Sequence, residues 1–94
     1  MDNTMNSERY LKTKSIYQAS YVLAKGGEMA GIDVNSDGVY FSFVRSVECE
    51  RIAEEFNNAA EAMVDARVYV SALQMLYRER QEQLMKAHAR EDKA

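Results

Sequence analysis

The pattern of apolar and polar residues predicts three β-strands, at residues 10–13, 29–34 and 39–45. The third is the clearest, because its residues are mostly β-branched or aromatic. Alternation of side chains along it places Phe41 and Phe43 on one face, which we expect the helices to cover. Tyr40 falls on the opposite face and is the one aromatic candidate for an open sheet surface.

Helical spacing of apolar residues, preceded by good N-cap residues, predicts three helices. The expected N-caps are Ser15, Ser46 and Asp65. The first helix carries Ile16, Ala19, Ser20 and Leu23 on one face, with Tyr17 and Val22 beside it, and it ends at Gly26-Gly27. The second carries Cys49, Ile52, Ala53 and Phe56 on one face and ends at or near Asn57-Asn58. Residues 59–64 are predicted as either a loop or a helical connection.

The last helix has residues at alternating steps of four and three: Ala66, Val70, Leu73, Tyr77, Arg80, Leu84 and Ala87. This spacing predicts a coiled-coil-like seam with one fault, Arg80, while Tyr69 and Leu76 beside it place the first half in the core. A helix over residues 65–88 would be about 36 Å long. Because a domain this small has a radius of gyration of about 13 Å, the second half should project, fray or pack on another copy. We therefore predict a homodimer that uses Arg80, Leu84 and Ala87.

Together these elements predict one α+β domain over residues 9–80. It consists of a three-stranded antiparallel sheet covered on one face by helices, with a long projecting C-terminal helix. Residues 1–8 are expected to be a flexible tail and residues 81–94 a charged helical extension.

The segment from Asp33 to Gly38 resembles the first half of an EF-hand calcium loop. However, the twelfth position, which needs a bidentate carboxylate, is Val44, and the residues after the loop favour a strand. Asn, Ser, Asp and Gly between two apolar runs are also ordinary turn residues. We therefore interpret the segment as a β-hairpin.

Composition excludes several classes of protein. An apolar fraction of 47% over 94 residues is typical of a single globular domain. There is no run of about 20 apolar residues, so no membrane association is expected. The single cysteine, Cys49, cannot form an internal disulfide and is compatible with a reducing cytoplasm, where we expect the protein to be.

The chain contains no set of residues that predicts catalysis, a metal or a cofactor. His88 is the only histidine, and it has no second histidine or cysteine nearby in sequence to complete a zinc site. Cys49 lies in the first turn of a helix, but its acidic neighbours and apolar face favour a buried thiol. We predict a protein that is not an enzyme.

Charge is unevenly distributed within a net charge of −3. Residues 48–65 are acidic, and Glu54 and Glu55 lie where only Arg51 opposes them. Such a face is usually solvated, but it is also compatible with an inhibitor that occupies a nucleic-acid-binding partner. The basic residues at 9–14 and in the tail permit the other alternative, a nucleic-acid binder.

The segments Tyr10-Leu-Lys-Thr-Lys, the Gly-Gly helix end, Phe41-Ser-Phe43 and Val64-Asp65-Ala-Arg67-Val-Tyr69 resemble a small uncharacterised domain family of bacteria and their phages. The resemblance covers about residues 9 to 80 and implies a β-α-β-β-α fold with a long C-terminal helix. It implies no active site, because the matching residues belong to the core and turns. The leading hypothesis is a protein-interaction module with a partner that the sequence does not identify.

Overall fold

The computed structural model describes residues 9–58 and 62–93 and has the predicted α+β architecture. Its elements are β1 (Tyr10–Thr13), α1 (Ile16–Ala24), β2 (Met29–Asn35), β3 (Gly38–Val44), α2 (Val47–Asn57) and α3 (Ala66–Lys93). The tail predicted at residues 1–8 lies outside the described residues, as do 59–61 of the connection between α2 and α3. Residues 62–64 of that connection are not helical.

β3 is the central strand of the sheet, and it pairs antiparallel with β1 on one side and β2 on the other. Phe41 lies opposite Thr13 of β1 and Ile32 of β2, so all three strands contribute to the same face. Phe41 and Phe43 are fully buried on this face. The predicted division of β3 into a helix-covered face and an opposite face is confirmed.

β2 and β3 form a hairpin with Ser36 and Asp37 at its turn. The Asn35 side-chain oxygen accepts a hydrogen bond from the main-chain N–H of Asp37 over 2.8 Å. Gly38 has a φ of 133°, a conformation that residues with a Cβ rarely adopt. The chain then continues as a strand, where an EF-hand requires a helix. The hairpin interpretation is therefore confirmed.

The core lies between the sheet and the helices. Its largest fully buried side chains are Phe41, Phe43, Ile52, Leu76, Val22 and Ser20. Each of the large apolar ones contributes about 1.5–3 kcal/mol through removal from water. Since the buried residues come from β3 and from all three helices, no helix is an optional addition to this core.

All three predicted N-caps accept a hydrogen bond from a main-chain N–H in the first turn of their helix. The pairs are Ser15 with Gln18 (3.1 Å), Ser46 with Cys49 (2.9 Å) and Asp65 with Arg67 (2.9 Å). Each such cap typically stabilises the protein by about 1 kcal/mol. The starts of the helices are therefore encoded locally.

The face of α3 that enters the core differs from the predicted seam. Its buried residues are Ala72 and Leu76, and Tyr69 and Leu73 are partly buried against the core. The seam residues Ala66, Val70 and Tyr77 are exposed, so the prediction is wrong for these three. The buried residues and the exposed seam residues form two rows of apolar residues at helical spacing. Only the packing of α1 and β2 against α3 determines which row enters the core.

The length of α3 is close to the largest extent of the molecule. Its 28 residues correspond to about 42 Å at 1.5 Å per residue, against a largest extent of 46 Å. Gln83 lines a groove between α3 and β2. Farther along, Leu84 and Ala87 are partly covered, whereas Met85 is 62% exposed.

Candidate interaction surfaces

Tyr17, Tyr69, Tyr77 and Arg80 form a group at the surface between α1 and α3, which we call the tyrosine cluster. The Tyr69 hydroxyl donates a hydrogen bond to the main-chain carbonyl of Tyr17 over 3.4 Å. The Arg80 guanidinium lies 5.0 Å from the centre of the Tyr77 ring, within the range of a cation–π interaction. A hydrogen bond with the Tyr17 side chain raises the pKa of Tyr77. These contacts give the cluster a defined arrangement.

The tyrosine cluster is part of a longer apolar row on the surface. Tyr17 is 53% exposed, Tyr77 41%, and Val70, two helical turns before Tyr77, 47%. Leu84 lies two turns after Tyr77 on the same side of the helix. Single exposed apolar residues are ordinary, whereas several on one side of a helix make that side a candidate contact surface. Val70, Tyr77 and Leu84, together with Tyr17, are called the α3 row below.

The residues predicted for self-association lie on or beside this row. Arg80 belongs to the tyrosine cluster, and Leu84 is a member of the row. Ala87 lies about one turn farther along α3 and is partly covered. Sequence reasoning missed Tyr17, because its place beside α3 depends on the packing of two helices rather than on any local pattern.

The acidic side chains of α2 are compensated by more cations than the sequence suggested. Arg51 forms ion pairs with Glu48, one turn before it, and with Glu55, one turn after it. The Arg51 guanidinium lowers the pKa of Glu48. Lys25, the residue that follows α1, adds a second cation, with its Nζ 4.0 Å from Glu55. Glu55 is therefore paired inside the chain rather than presented to a partner.

The first turn of α2 has a further ion pair. Arg45, which precedes the helix, contacts Glu50 through its Nη1 at 3.0 Å. The sequence left only Arg51 to oppose the acids, and the structure adds both Arg45 and Lys25. Glu54 is exposed and takes part in none of the ion pairs among the described residues. Exposed pairs of this kind contribute about 0–1 kcal/mol each.

The sheet face opposite the core does not present the aromatic ring that the sequence suggested. Tyr40 is only 8% exposed, and the Lys14 ammonium lies 5.4 Å from the centre of its ring. Beside it, Lys12 pairs with Asp33 at 3.4 Å, and the Ser42 hydroxyl donates to the same carboxylate over 3.3 Å. On a narrow sheet, long neighbouring side chains cover a ring that strand alternation alone leaves exposed. The expectation of an exposed Tyr40 is corrected accordingly.

The thiol and the imidazole are not joined in a chemical site. Cys49 is 2% exposed, and burial raises the pKa of its thiol, with a further contribution from Glu50. His88 is exposed on α3. Within residues 9–58 and 62–93, no three His, Cys, Asp or Glu side chains lie close enough to hold a metal ion. The prediction that Cys49 is a buried apolar residue is confirmed.

Sequence reasoning also missed the polar contacts of Tyr21. Its hydroxyl donates to Glu55 over 2.9 Å and accepts from the main-chain N–H of Met63 over 3.3 Å. The Lys25 ammonium donates to the Met63 carbonyl over 2.9 Å. Burial, and then the bond to Glu55, raise the pKa of Tyr21. Because these partners lie 34 and 42 residues from Tyr21, only the folded chain brings them together.

No helix in the described part of the chain combines the length and the apolar character needed to span a bilayer. Comparison of the chain with models of protein families, with curated proteins and with solved structures gave no match. The surfaces described above are therefore the basis for a function.

Proposed function

We propose that this chain is a non-catalytic protein-interaction module that self-associates through α3. The observation that carries the proposal is the α3 row, in which Val70 and Tyr77 are 47% and 41% exposed beside Tyr17 at 53%. The row lies on a regular helix, so its side chains are held at fixed spacing before any partner arrives. Rigid aromatic side chains with adjacent arginines are typical of the residues that dominate binding energy in protein interfaces.

The spacing of the row suits an antiparallel pair of α3 helices. Val70 and Leu84 lie at equal distances of seven residues on either side of Tyr77. If a two-fold axis passes near Tyr77, Leu84 of one copy meets Val70 of the other, and the reverse contact follows by symmetry. Ala66 and Ala87 then lie opposite one another at the ends of the contact, where small side chains allow close approach.

The proposal is tested by the molar mass of the full chain in solution, measured by light scattering behind a sizing column. We expect about twice the chain mass of 10.7 kDa. Leu84→Asp should give the monomer, because it places a charge against Val70 of the other copy. The matched control is Met85→Asp, since Met85 is the adjacent residue, is 62% exposed and points to another side of α3. A monomeric parent chain, or a dimer that tolerates Leu84→Asp, contradicts self-association.

We also propose a bacterial or phage origin, which the family resemblance implies. A cytoplasmic location and a further protein partner are part of the same proposal. The two alternatives gain no support from the surfaces. For nucleic-acid binding through the basic N-terminal strand and tail, Lys12 is already paired with Asp33 and Lys14 lies over the Tyr40 ring. An acidic inhibitor surface lacks unpaired carboxylates at Glu48, Glu50 and Glu55.

A further inference from the structure

β2 is an edge strand, and its outer side borders a groove of about 310 Å³ against α3. The groove is lined by Met29, Ala30, Gly31, Ile32, Met75, Glu79 and Gln83. Among the described residues, β2 pairs with β3 alone, so no strand covers its outer side. A groove between an edge strand and a helix is the setting in which proteins bind extended peptides as an added strand.

The direction of the main-chain groups of β2 follows from two hydrogen bonds of β3. The main-chain N–H of Arg45 donates to the Arg9 carbonyl beside β1, and that of Val44 donates to the Glu28 carbonyl beside β2, both over 2.8 Å. Main-chain groups alternate in direction along a strand. Odd-numbered residues of β3 therefore bond towards β1 and even-numbered ones towards β2.

Gly31 and Asp33 lie opposite even-numbered residues of β3, so their main-chain groups are used within the sheet. The intervening Ile32 and Val34 consequently turn their N–H and C=O groups outward. A strand that pairs with this edge receives two donors and two acceptors from these residues.

The edge is accessible to another chain. Ala30 is an exposed bulge residue, and no atom lies within 4 Å of the place where a Cβ at Gly31 would stand. Natural edge strands are often protected by lysine, proline or a bulge. β2 has neither lysine nor proline, and its bulge lies between Met29 and Gly31, before the outward-facing Ile32 and Val34.

The lining of the groove indicates the chemistry of its occupant. Met29, Ile32 and Met75 form an apolar wall, and methionine adapts its shape to different side chains. Glu79 is the one charged residue of this lining and takes part in none of the ion pairs among the described residues. Since β2 has no basic residue, a second copy of β2 offers no cation to Glu79 and is the poorer occupant.

We infer that this groove binds an extended peptide segment as a fourth strand on β2, with apolar side chains against the methionines and a lysine or arginine against Glu79. The site is separate from the α3 row and does not depend on self-association. Affinity comes mainly from the main-chain bonds to Ile32 and Val34, and Glu79 supplies the preference for a basic side chain.

The probe is a fluorescein-labelled peptide, Thr-Val-Thr-Lys-Thr-Val-Thr, whose binding to the full chain is followed by fluorescence anisotropy. Two further peptides carry N-methyl groups on alternate residues, one on the Thr set and one on the Val and Lys set. In an added strand only one set directs its N–H groups at β2, so one methylated peptide should lose binding and the other should keep it. Equal behaviour of the two methylated peptides, or no binding of the parent peptide, overturns the inference.

Substitution of Glu79 tests whether its charge contributes to peptide binding. Glu79→Lys should weaken binding of the same peptide by about tenfold, equivalent to about 1.4 kcal/mol. Glu82→Lys is the matched control, because Glu82 is an exposed residue of the same helix that does not line the groove. Equal affinity for the two variants overturns the assignment of Glu79. The molar mass of each sample, measured in parallel, shows independently whether the chain self-associates.

Discussion

The side-chain amide of Gln18 in α1 donates a hydrogen bond to the main-chain carbonyl of Ala53 in α2, over 3.2 Å. The same nitrogen lies 3.3 Å from Asn57 Oδ1, and the Gln18 oxygen accepts from the Thr13 hydroxyl over 2.7 Å. One side chain thus connects β1, α1 and α2. It also satisfies a carbonyl in the second half of α2, a helix whose last turn has no basic residue.

Replacing Gln18 with alanine removes this connection and leaves the Thr13 hydroxyl proton without its acceptor and the Ala53 carbonyl without the donor from α1. We expect the free energy of unfolding to fall by about 1–3 kcal/mol, as measured by urea denaturation. Gln74→Ala is the control, because Gln74 is exposed on α3, and it should change stability by less than about 0.5 kcal/mol. Equal effects of the two substitutions would show that the Gln18 contacts contribute nothing.

The orientation of α3 predicts a large difference between two apolar residues of that helix. Leu76 is fully buried, and Leu76→Ala should lower the free energy of unfolding by about 2–5 kcal/mol. Val70 is 47% exposed, and Val70→Ala should lower it by less than about 1 kcal/mol. Both substitutions are made in the Leu84→Asp background, so that self-association does not contribute. A larger cost at Val70 would restore the seam predicted from the sequence as the core-facing row.

Two glycines should respond in opposite ways to alanine. A Cβ at Gly27 would stand 2.5 Å from Val22 Cγ1 and 2.9 Å from the Val22 carbonyl oxygen, so Gly27→Ala should cost about 1–3 kcal/mol. A Cβ at Gly31 would meet no atom within 4 Å, so Gly31→Ala should be neutral or stabilise by up to about 1 kcal/mol. Thermal denaturation of the two variants and the parent chain measures these changes in stability. A lower midpoint for Gly31→Ala than for the parent chain would contradict the prediction for Gly31.

The hydroxyl of Tyr21 should stabilise the connection between α2 and α3. Tyr21→Phe keeps the ring and removes the bonds to Glu55 and to the Met63 N–H. Because Glu55 is a carboxylate, we expect a loss of about 1.5–3 kcal/mol in urea denaturation. Hydrogen exchange should show faster exchange at the Met63 amide. Unchanged exchange at Met63 would mean that the connection is held by other contacts.

The same residue predicts a dependence of stability on pH. The pKa of Tyr21 is raised in the folded protein above the ordinary value of 10.0, so the folded state keeps its proton to a higher pH than the unfolded state. The stability that this contributes is complete below pH 10 and is lost as the pH rises through the folded-state pKa. The difference in unfolding free energy between the parent chain and Tyr21→Phe should therefore be constant at lower pH and shrink as the pH rises above about 10. A difference in unfolding free energy that stays constant as the pH rises would contradict the raised pKa of Tyr21. Titration of Tyr69 and Tyr77 affects both proteins equally and does not contribute to this difference.

The elements and the inner face of the sheet follow from local features of the sequence. Ser15, Ser46 and Asp65 cap helices by bonds that reach no farther than three residues, and Gly38 supplies the positive φ of the hairpin. Strand alternation placed Phe41 and Phe43 in the core because the period of a strand is two in any context. Such features depend on neighbours along the chain, and a sequence displays those neighbours directly.

The composition of the surfaces depends on how the helices and strands pack. α3 has two apolar rows, and contact with α1 and β2 buries the row of Leu76 and exposes the row of Tyr77. Lys14 covers Tyr40, and Lys25 approaches Glu55 from the end of α1. Each outcome depends on side chains that are distant in sequence and become neighbours only when helices and strands pack. For that reason the local pattern was sufficient for the elements and the fold class, whereas the orientation of α3 and the binding surfaces required the packed molecule.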